Sequence, residues 1–264
     1  MKFVQVKIFN EGNSFFTLIE KINYKNSLKI IEQELYKDFN SLNEIQYYLT
    51  NVLNTYEFRK NKIFINYISN DVFIETINIT SNNKINVKKE LNIMYPNYEL
   101  DYSLFTGEIK MNSKNKKVVC ALLKNDIINN IKTLISLVGK NKVYFGIDIL
   151  MLQFYINKNK AFFIKKYILL IQKTFHYYRV YQILNGKIIN YIILNDQKDE
   201  FSQMYKDIMN NMNNKIDEVI FEGDYNKYQD LVDKLLKISV VLIDYIDILK
   251  NLDERKLEYA NNKI

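Results

Sequence analysis

Apolar and polar residues follow two different periods along the first eighty residues of this chain. Four segments alternate with the period of a strand: 2–9 (KFVQVKIF), 15–22 (FFTLIEKI), 62–68 (KIFINYI) and 71–80 (DVFIETINIT). Between the first two, the run Asn10-Glu11-Gly12-Asn13 is typical of a turn. Residues 27–37 and 41–58 carry apolar side chains at helical spacing. This part of the chain therefore predicts a strand hairpin, two helices and two further strands.

The rest of the chain continues to mix strands and helices. After a short helix, a strand and a second strand, residues 125–138 predict a helix that Gly139 ends, followed by a strand and another helix. The run YILLIQKTFHYYRVYQILNGKIINYIIL, Tyr167 to Leu194, predicts three strands, the last two joined by the tight turn Asn185-Gly186. Later elements are predicted in this order: helix 199–215, strand 218–221, helix 227–237, strand 239–243 and a polar helical tail.

Two parts of the chain share one plan, in which a strand meander or hairpin leads through a helix to further strands. Such a repeat predicts an α/β fold of two related lobes with a smaller insertion between them. The predicted boundaries are 1–80 and 142–158 for the first lobe, 81–141 for the insertion and 159–264 for the second lobe.

The amino-acid composition limits the kinds of catalytic and binding sites that this chain can form. Six glycines occur and no two lie within six residues, so a glycine-rich phosphate cradle is not expected. The single cysteine, Cys120, lies in the apolar run VVCALL and predicts an inert buried thiol in a reducing compartment. The single histidine, His176, stands between two aromatic residues with no motif around it, and we interpret it as structural. With one of each, neither a zinc site nor a histidine-dependent nucleophile is expected.

The formal net charge is +7, which raises the question of nucleic acid or an acidic membrane surface. The lysines are scattered, and arginine occurs only at Arg59, Arg179 and Arg255, so we interpret the charge as a solvated surface. No segment reaches 18 uncharged apolar residues, and the N-terminus lacks a signal-peptide pattern. We therefore expect a cytoplasmic protein that reaches the membrane only through a partner.

Four segments resemble a known family. They are Lys89–Leu104 (KELNIMYPNYELDYSL), with Pro96 and the pair Asp101-Tyr102; NKIFINYISNDVFIETINI; KVVCALLKNDIINNIKTLISLVGKNKVYFGIDILMLQFYI, with Asp148; and KIDEVIFEGDYNKYQDLVDKLLKISVVLIDYIDIL. In order and pattern they resemble PilM, the FtsA-like, actin-fold family of type IV pilus assembly. The cytoplasmic domain of type II secretion L proteins is related to that family. The resemblance implies an actin-like, ribonuclease H-like, two-lobe fold with an inserted small α+β subdomain.

The same resemblance shows where nucleotide chemistry would lie and how the chain departs from it. Actin-like ATPases hold ATP with two phosphate loops and an adenosine turn. The segment to Ile22 has no Asp-x-Gly, so the first lobe is predicted to be truncated at its start. Gln172 and Thr174 occupy the acid and glycine positions of the second loop, and only Gly223 remains at the adenosine turn. Because glutamine brings no charge to Mg²⁺, we expect no ATP hydrolysis, no cofactor and no metal.

The function that the resemblance implies is a non-catalytic adaptor. In that family, a groove between the first lobe and the inserted subdomain binds a short N-terminal peptide of the inner-membrane protein PilN. The expected contacts here are Tyr95, Tyr98, Tyr102 and Leu104, with part of the helix 125–138. Further partners would be a pilus ATPase complex and other copies in a ring. The chemistry of tyrosine suits such a groove, since it gives a large contact area at modest entropic cost.

Two alternatives stay open. One is a nucleotide-dependent conformational switch of the same fold, with metal ligands drawn from acids near predicted strand ends: Asp148, Asp196 and Asp224. The other is a basic nucleic-acid-binding protein, which the high tyrosine content and the pI near 9.0 favour and the scarcity of arginine disfavours.

Overall fold

The structure is a computed structural model. It describes residues 2–10, 15–25, 27–55, 61–69, 71–80, 87–110, 115–138, 143–174, 177–195, 200–211, 216–223, 225–238 and 241–246. Several predicted features lie outside these residues, namely Gly139, His176, Asp196, Asp224 and the tail from 254. The chain divides into two compact units, residues 1–154 with 253–264, and residues 155–252.

The first unit contains eight strands and three complete helices among the described residues. They run in this order: β1 Lys2–Asn10, β2 Phe15–Lys25, β3 Ser27–Phe39, α1 Leu42–Leu53, β4 Lys62–Ser69, β5 Phe73–Thr80, α2 Val87–Met94, a 3-10 turn Tyr98–Leu100, β6 Tyr102–Lys110, β7 Asn115–Lys124, α3 Asn125–Val138 and β8 Val143–Ile147. Helix α4, Asp148–Lys158, then leads from this unit into the next.

Five strands of the first unit form one sheet in the order β3-β2-β1-β4-β8. The first three are an antiparallel meander, whereas β4 and β8 run parallel to β1. Seven of the eight residues of β4 are buried, as expected of a central parallel strand covered on both faces. Helices α1 and α3 pack against each other beside this sheet, and the Asn54 side-chain amide donates to the Leu137 carbonyl at 3.1 Å.

The prediction of a helix over 27–37 is wrong, because this segment lies within strand β3. It pairs antiparallel with β2 from Lys25↔Ser27 to Phe15↔Phe39. Apolar residues in a segment this short satisfy either period, so the neighbouring strand decides the outcome. The first sheet therefore begins with a meander of three strands, where the sequence predicted a hairpin of two.

The inserted subdomain has its own three-stranded antiparallel sheet in the order β5-β7-β6. Strand β5 belongs to this sheet, although the predicted boundary at residue 80 groups it with the first lobe. One face packs on the rest of the unit, where the Phe105 ring meets the Phe145 ring of β8 at 5.6 Å. The other face carries α2 and a separate apolar core centred on Leu91 and Cys120.

The second unit repeats the architecture of the first. Its elements are the one-turn helix α5 Lys160–Phe163, β9 Tyr167–Thr174, β10 Tyr177–Leu184, β11 Lys187–Asn195, α6 Glu200–Asn211, β12 Glu218–Glu222, a 3-10 turn Tyr225–Tyr228, α7 Gln229–Ile238 and β13 Leu242–Ile246. Their sheet has the order β11-β10-β9-β12-β13, with β12 and β13 parallel to β9. This confirms the predicted meander of three strands.

One face of the second sheet forms the unit's main core with α6 and α7. Alternate residues of β9, such as Leu169 and Ile171, meet Phe201 and Tyr205 of α6 and Leu231 and Leu235 of α7. Both five-stranded sheets thus have the same strand order. In each, the first strand of the meander pairs with a parallel strand, and a second parallel strand lies beside that one. This duplicated plan confirms the predicted two-lobe α/β fold.

Candidate functional site

The outer face of the inserted sheet carries two of the four predicted partner contacts, Tyr102 and Leu104, close together. The register places Phe73 of β5, Leu122 of β7 and Leu104 of β6 side by side, with Tyr102 two residues before Leu104 on the same face. The Phe73 and Tyr102 rings meet edge to face, with centroids 5.5 Å apart. Tyr102 and Leu104 are half-buried and pack on the core of the subdomain.

The remaining two predicted contacts differ in exposure. Tyr98 is only 6% exposed and belongs to the subdomain core, so its side chain lies beneath the residues that form the surface. Tyr95 is 42% exposed, and its hydroxyl donates to the Glu75 carboxylate. This hydrogen bond to Glu75 raises the pKa of the Tyr95 hydroxyl. Since Glu75 lies two residues after Phe73 on the same strand, Tyr95 stands beside the Phe73–Tyr102 pair.

We name the surface made by Phe73, Tyr95 and Tyr102 the aromatic face. Phe73 is 56% exposed, which is high for phenylalanine, and the inserted subdomain has further exposed apolar side chains at Ile93, Met94 and Leu100. Several exposed apolar side chains on one small subdomain mark a binding site more often than a single exposed side chain does. The sequence analysis missed Phe73, because its strand was assigned to the first lobe.

Asn125, the first residue of α3, holds the turn that borders the aromatic face. Its side-chain amide donates to the carbonyls of Glu99 (3.2 Å) and Leu100 (3.0 Å), and its Oδ1 accepts from the Ser103 hydroxyl at 2.7 Å. Its backbone N–H also donates to the Asp101 carbonyl at 2.8 Å. One asparagine thus fixes the segment between Tyr98 and Tyr102.

A second polar site lies at the carboxyl edge of the first sheet, where β1 and β4 end. Asn10 is buried, and its amide nitrogen donates to the Tyr67 hydroxyl at 2.7 Å and to the Asp71 carboxylate at 3.4 Å. The Ser69 hydroxyl accepts from the Asp71 backbone N–H at 3.0 Å. Burial raises the pKa of Tyr67 to about 12, so this hydroxyl stays neutral. The Oδ1 of Asn10 is buried and has no hydrogen-bond partner among the described residues.

This edge is where the first phosphate loop of an actin-like ATPase would lie, after the first strand of the meander. The connection from β1 to β2 is residues 11–14, with the sequence Glu-Gly-Asn-Ser, and it lies outside the described residues. It contains an acid, a glycine and a hydroxyl residue, with Asn10 where the Asp-x-Gly pattern has a carboxylate. The sequence analysis overlooked this loop because it did not recognise β3 and so took the hairpin as incomplete.

The position of the second phosphate loop, at the end of β9, differs in chemistry from the position of the first. Gln172 is 7% exposed near the end of β9, next to Arg179 of β10 and Glu222 of β12. Within the part of the chain that the structure describes, its Oε1 has no hydrogen-bond partner. Thr174 ends β9 and pairs with Tyr177, which leaves a connection of only two residues, 175 and 176. A connection this short, with a neutral amide in place of the acid, does not fit a phosphate loop that holds Mg²⁺.

The adenosine-turn position keeps a glycine with a structural role. Gly223 follows β12 with φ +95°, a backbone conformation that favours glycine, and its N–H donates to the Ile246 carbonyl of β13 at 2.8 Å. Gln172, Thr174 and Gly223 therefore lie near one end of the second sheet.

Other candidate chemistry receives little support from the described residues. Within them, no group of three or more histidine, cysteine, aspartate or glutamate side chains is arranged to hold a metal ion. Cys120 is fully buried, and burial raises the pKa of its thiol to about 12, in agreement with the predicted inert thiol. Asp148 is half-buried as the first residue of α4. No helix of the described ranges is long and apolar enough to cross a membrane.

Comparison with solved structures places the fold among known proteins. A Bacteroides thetaiotaomicron protein "with actin-like ATPase fold and unknown function" matches with a TM-score of 0.53 and 13% identity over 97% of this chain and 95% of that one. The "PilM-PilN type IV pilus biogenesis complex" matches with a TM-score of 0.61 and 11% identity over 98% and 94% of the two chains. The cytoplasmic domain of EpsL from Vibrio cholerae covers 84% of this chain and 82% of its own, at 11% identity and a TM-score of 0.49.

The sequence matches no family model and no curated protein significantly. TM-scores of 0.53 and 0.61 over almost the full length of both chains show a shared fold, although the sequence identities are only 13% and 11%. This chain is therefore an actin-fold protein whose architecture resembles that of PilM.

Proposed function

We infer that this protein is a non-catalytic adaptor that binds a short peptide from an inner-membrane protein of a type IV pilus or type II secretion-like machine. The observation that carries this proposal is the aromatic face of the inserted subdomain, a partly exposed surface made by two strands of its antiparallel sheet and by Tyr95 after α2. The PilM chain of similar architecture was solved in complex with PilN, which supports a PilN-like partner.

The aromatic face has the properties of a peptide-binding surface. Phe73 and Tyr102 offer apolar area without large conformational freedom, and both are fixed by pairing to β7. Tyr95 adds a polar handle, because its hydroxyl and the Glu75 carboxylate can meet backbone or side-chain donors of a peptide. Rigid aromatic anchors of this kind contribute much of the free energy at protein interfaces.

The adaptor works from the cytoplasmic side of the membrane and carries out no ATP hydrolysis. The neutral Gln172 and the two-residue connection after Thr174 support the absence of ATP hydrolysis. The cytoplasmic location follows from the proposed partner, because the peptide belongs to the cytoplasmic end of an inner-membrane protein. Copies of the adaptor in a ring, and contact with the pilus ATPase complex, are further elements of the same model.

Calorimetric titration with synthetic peptides that cover the cytoplasmic N-termini of inner-membrane assembly proteins from the same organism tests this proposal. We expect one peptide to bind, and Phe73→Ala and Tyr102→Ala each to weaken it about tenfold. Tyr47→Ala is the matched control, because Tyr47 is 75% exposed on α1, outside the inserted subdomain. Equal binding by all three variants, or no binding to any such peptide, would contradict the proposal.

The second candidate is a nucleotide-binding switch, and one observation favours it. Asn10, with its unpartnered Oδ1, lies beside Asp71 at the end of β1, where the following residues have the composition of a phosphate loop. A thermal shift series with Mg²⁺-ATP decides between the candidates. The adaptor proposal expects no stabilisation at millimolar ATP, whereas a metal-dependent shift that Asn10→Ala abolishes would place the switch first.

A further inference from the structure

The second unit contains a cavity that the proposed function does not use. Its volume is about 430 Å³, within the range of small-ligand and peptide side-chain pockets. It lies between the carboxyl end of β9, the start of β10, and helices α6 and α7. Its lining residues are Lys173, Tyr178, Phe201, Asp230, Leu231, Asp233, Lys234 and Lys237.

The floor of this cavity is apolar and rigid. Tyr178, Phe201 and Leu231 are each no more than 6% exposed, and all three belong to the core between the sheet and the two helices. An apolar group that enters the cavity therefore meets side chains already fixed by packing, and it loses little entropy by ordering them.

Lys173 and Tyr178 form a pair of polar groups on this floor. The Lys173 ammonium donates to the Tyr178 hydroxyl oxygen at 3.3 Å and lies 5.0 Å from the centroid of the same ring. The hydroxyl hydrogen of Tyr178 can then be donated to a ligand in the cavity. An ammonium and an adjacent hydroxyl donor suit one carboxylate, because each of its two oxygens can accept a charge-assisted hydrogen bond.

The rim is charged, and its charges come from one face of α7. Asp230 stands four residues before Lys234, and Asp233 four residues before Lys237, the spacing and order in which acid–lysine pairs support a helix. Asp233 also accepts from the Gln229 side-chain amide at 3.5 Å. The two acids thus have lysines of their own helix within one turn. Counted with Lys173, the residues that line the cavity carry three positive and two negative charges.

We propose that this cavity binds an acidic residue of a partner polypeptide together with a neighbouring apolar side chain, with Lys173 and Tyr178 holding the carboxylate and Phe201 and Leu231 receiving the apolar side chain. The exposed charged rim leaves the cavity open to solvent, which suits a segment of chain that continues beyond the pocket. The inference gives the adaptor a second docking site, and it is independent of the aromatic face because every lining residue belongs to the second unit.

Methyl NMR of the full chain, with leucine labelling, tests the proposal through the Leu231 signal. The probes are 4-phenylbutyrate, its uncharged amide, and the peptide acetyl-Leu-Phe-Glu-amide. We expect saturable shifts with the acid and tighter binding of the peptide, and no binding of the amide. Lys173→Gln and Tyr178→Phe should each weaken both carboxylate probes about tenfold. Lys227→Gln, which removes an exposed lysine outside the cavity, should leave binding unchanged.

Three results would overturn the proposal. Absence of any Leu231 shift with both carboxylates would remove the site, and equal binding of the amide would remove the role of the carboxylate. Tighter binding of 4-phenylbutyrate than of the peptide would replace the polypeptide by a small-molecule ligand. Tyr178→Phe keeps the buried ring, so the melting temperature of this variant should stay close to that of the parent protein. A loss of binding in this variant then measures the contribution of the hydroxyl group.

Discussion

The Tyr228 hydroxyl accepts a hydrogen bond from the backbone N–H of Lys173 at 2.8 Å and donates to the carbonyl of Glu222. Tyr228 is 1% exposed, so both bonds are shielded from water. This side chain, in the 3-10 turn just before α7, thereby joins the carboxyl ends of two parallel strands, β9 and β12. The hydrogen bond from the Lys173 backbone N–H to the Tyr228 hydroxyl also fixes the backbone of Lys173 at the edge of the cavity in the second unit.

Replacement of Tyr228 by phenylalanine should destabilise the protein while the fold is retained. The change leaves a backbone N–H and a carbonyl without their partner in a buried place, which costs about 1–3 kcal/mol of unfolding free energy. Urea unfolding followed by circular dichroism measures this loss. Tyr225→Phe is the control, because Tyr225 is 45% exposed and removal of its hydroxyl should change the unfolding free energy little. Equal stability of the two variants would show that the Tyr228 hydroxyl contributes nothing.

The stability of the protein should fall at high pH, and Tyr67 should be one cause. Burial raises its pKa from 10.0 to about 12, so the folded state favours the neutral phenol. The associated stability is complete below pH 10 and is lost as the pH rises toward about 12, since the unfolded chain ionises first. A shift of this size corresponds to about 2–3 kcal/mol.

The measurement for Tyr67 is the slope of unfolding free energy against pH between 9 and about 11.5, compared in the parent and in Tyr67→Phe. The variant should be less stable near neutral pH, because Asn10 loses its acceptor, yet its stability should decline less steeply in alkali. Parallel slopes would show that Tyr67 ionises equally readily in the folded and unfolded states.

Asn125→Ala should loosen the turn between Tyr98 and Tyr102 without unfolding the subdomain. It removes two amide donors and the acceptor of Ser103, while the subdomain core around Leu91 and Leu122 stays intact. Hydrogen exchange of the amides of 99–103 should accelerate about tenfold or more, since each lost bond costs about 1 kcal/mol. Asn129→Ala, an exposed position on the same helix, should leave these amides unchanged. Unchanged exchange in Asn125→Ala would show that the turn is held by other contacts.

Removal of the partner of Glu218 should be more costly than removal of both charges. Lys166 Nζ lies 2.7 Å from Glu218 Oε2, and the Glu218 side chain is only 2% exposed. Lys166→Met leaves this carboxylate buried and unpaired, with an expected loss of about 3 kcal/mol. The double variant Lys166→Met with Glu218→Gln should recover part of that loss. A single variant as stable as the parent would mean that the carboxylate stays hydrated without Lys166.

Several elements were predictable because their determinants are local. The turn Asn185-Gly186 has positive φ at both residues, as the tight hairpin turn requires, and it fixes the register of β10 and β11. Helix α3 buries Ile127, Ile131 and Leu134 on one side, as their spacing predicted. In these segments one period dominates over enough residues to exclude the other.

The features that escaped prediction depend on contacts distant in sequence. Strand β3 owes its conformation to pairing with β2, and without it the loop after Asn10 could not be placed. In the candidate site, Tyr102 and Leu104 share a face by strand alternation, which the sequence shows. That Tyr98 is buried and Tyr95 exposed depends on how α2 and the turn after it fold back on the sheet. No spacing rule separates two tyrosines three residues apart in an irregular segment.

The place of the insertion has a consequence for how the chain folds. Strands β4 and β8 are neighbours in the first sheet, yet the whole of the inserted subdomain lies between them in sequence. Contacts between distant segments form late, because closing the intervening loop costs entropy before any contact repays it. The subdomain has its own core and antiparallel sheet, so it can become compact first and bring the ends of its chain together. We therefore expect β8 to join last, and the rate of that step to depend on residues of the insertion that never touch β8.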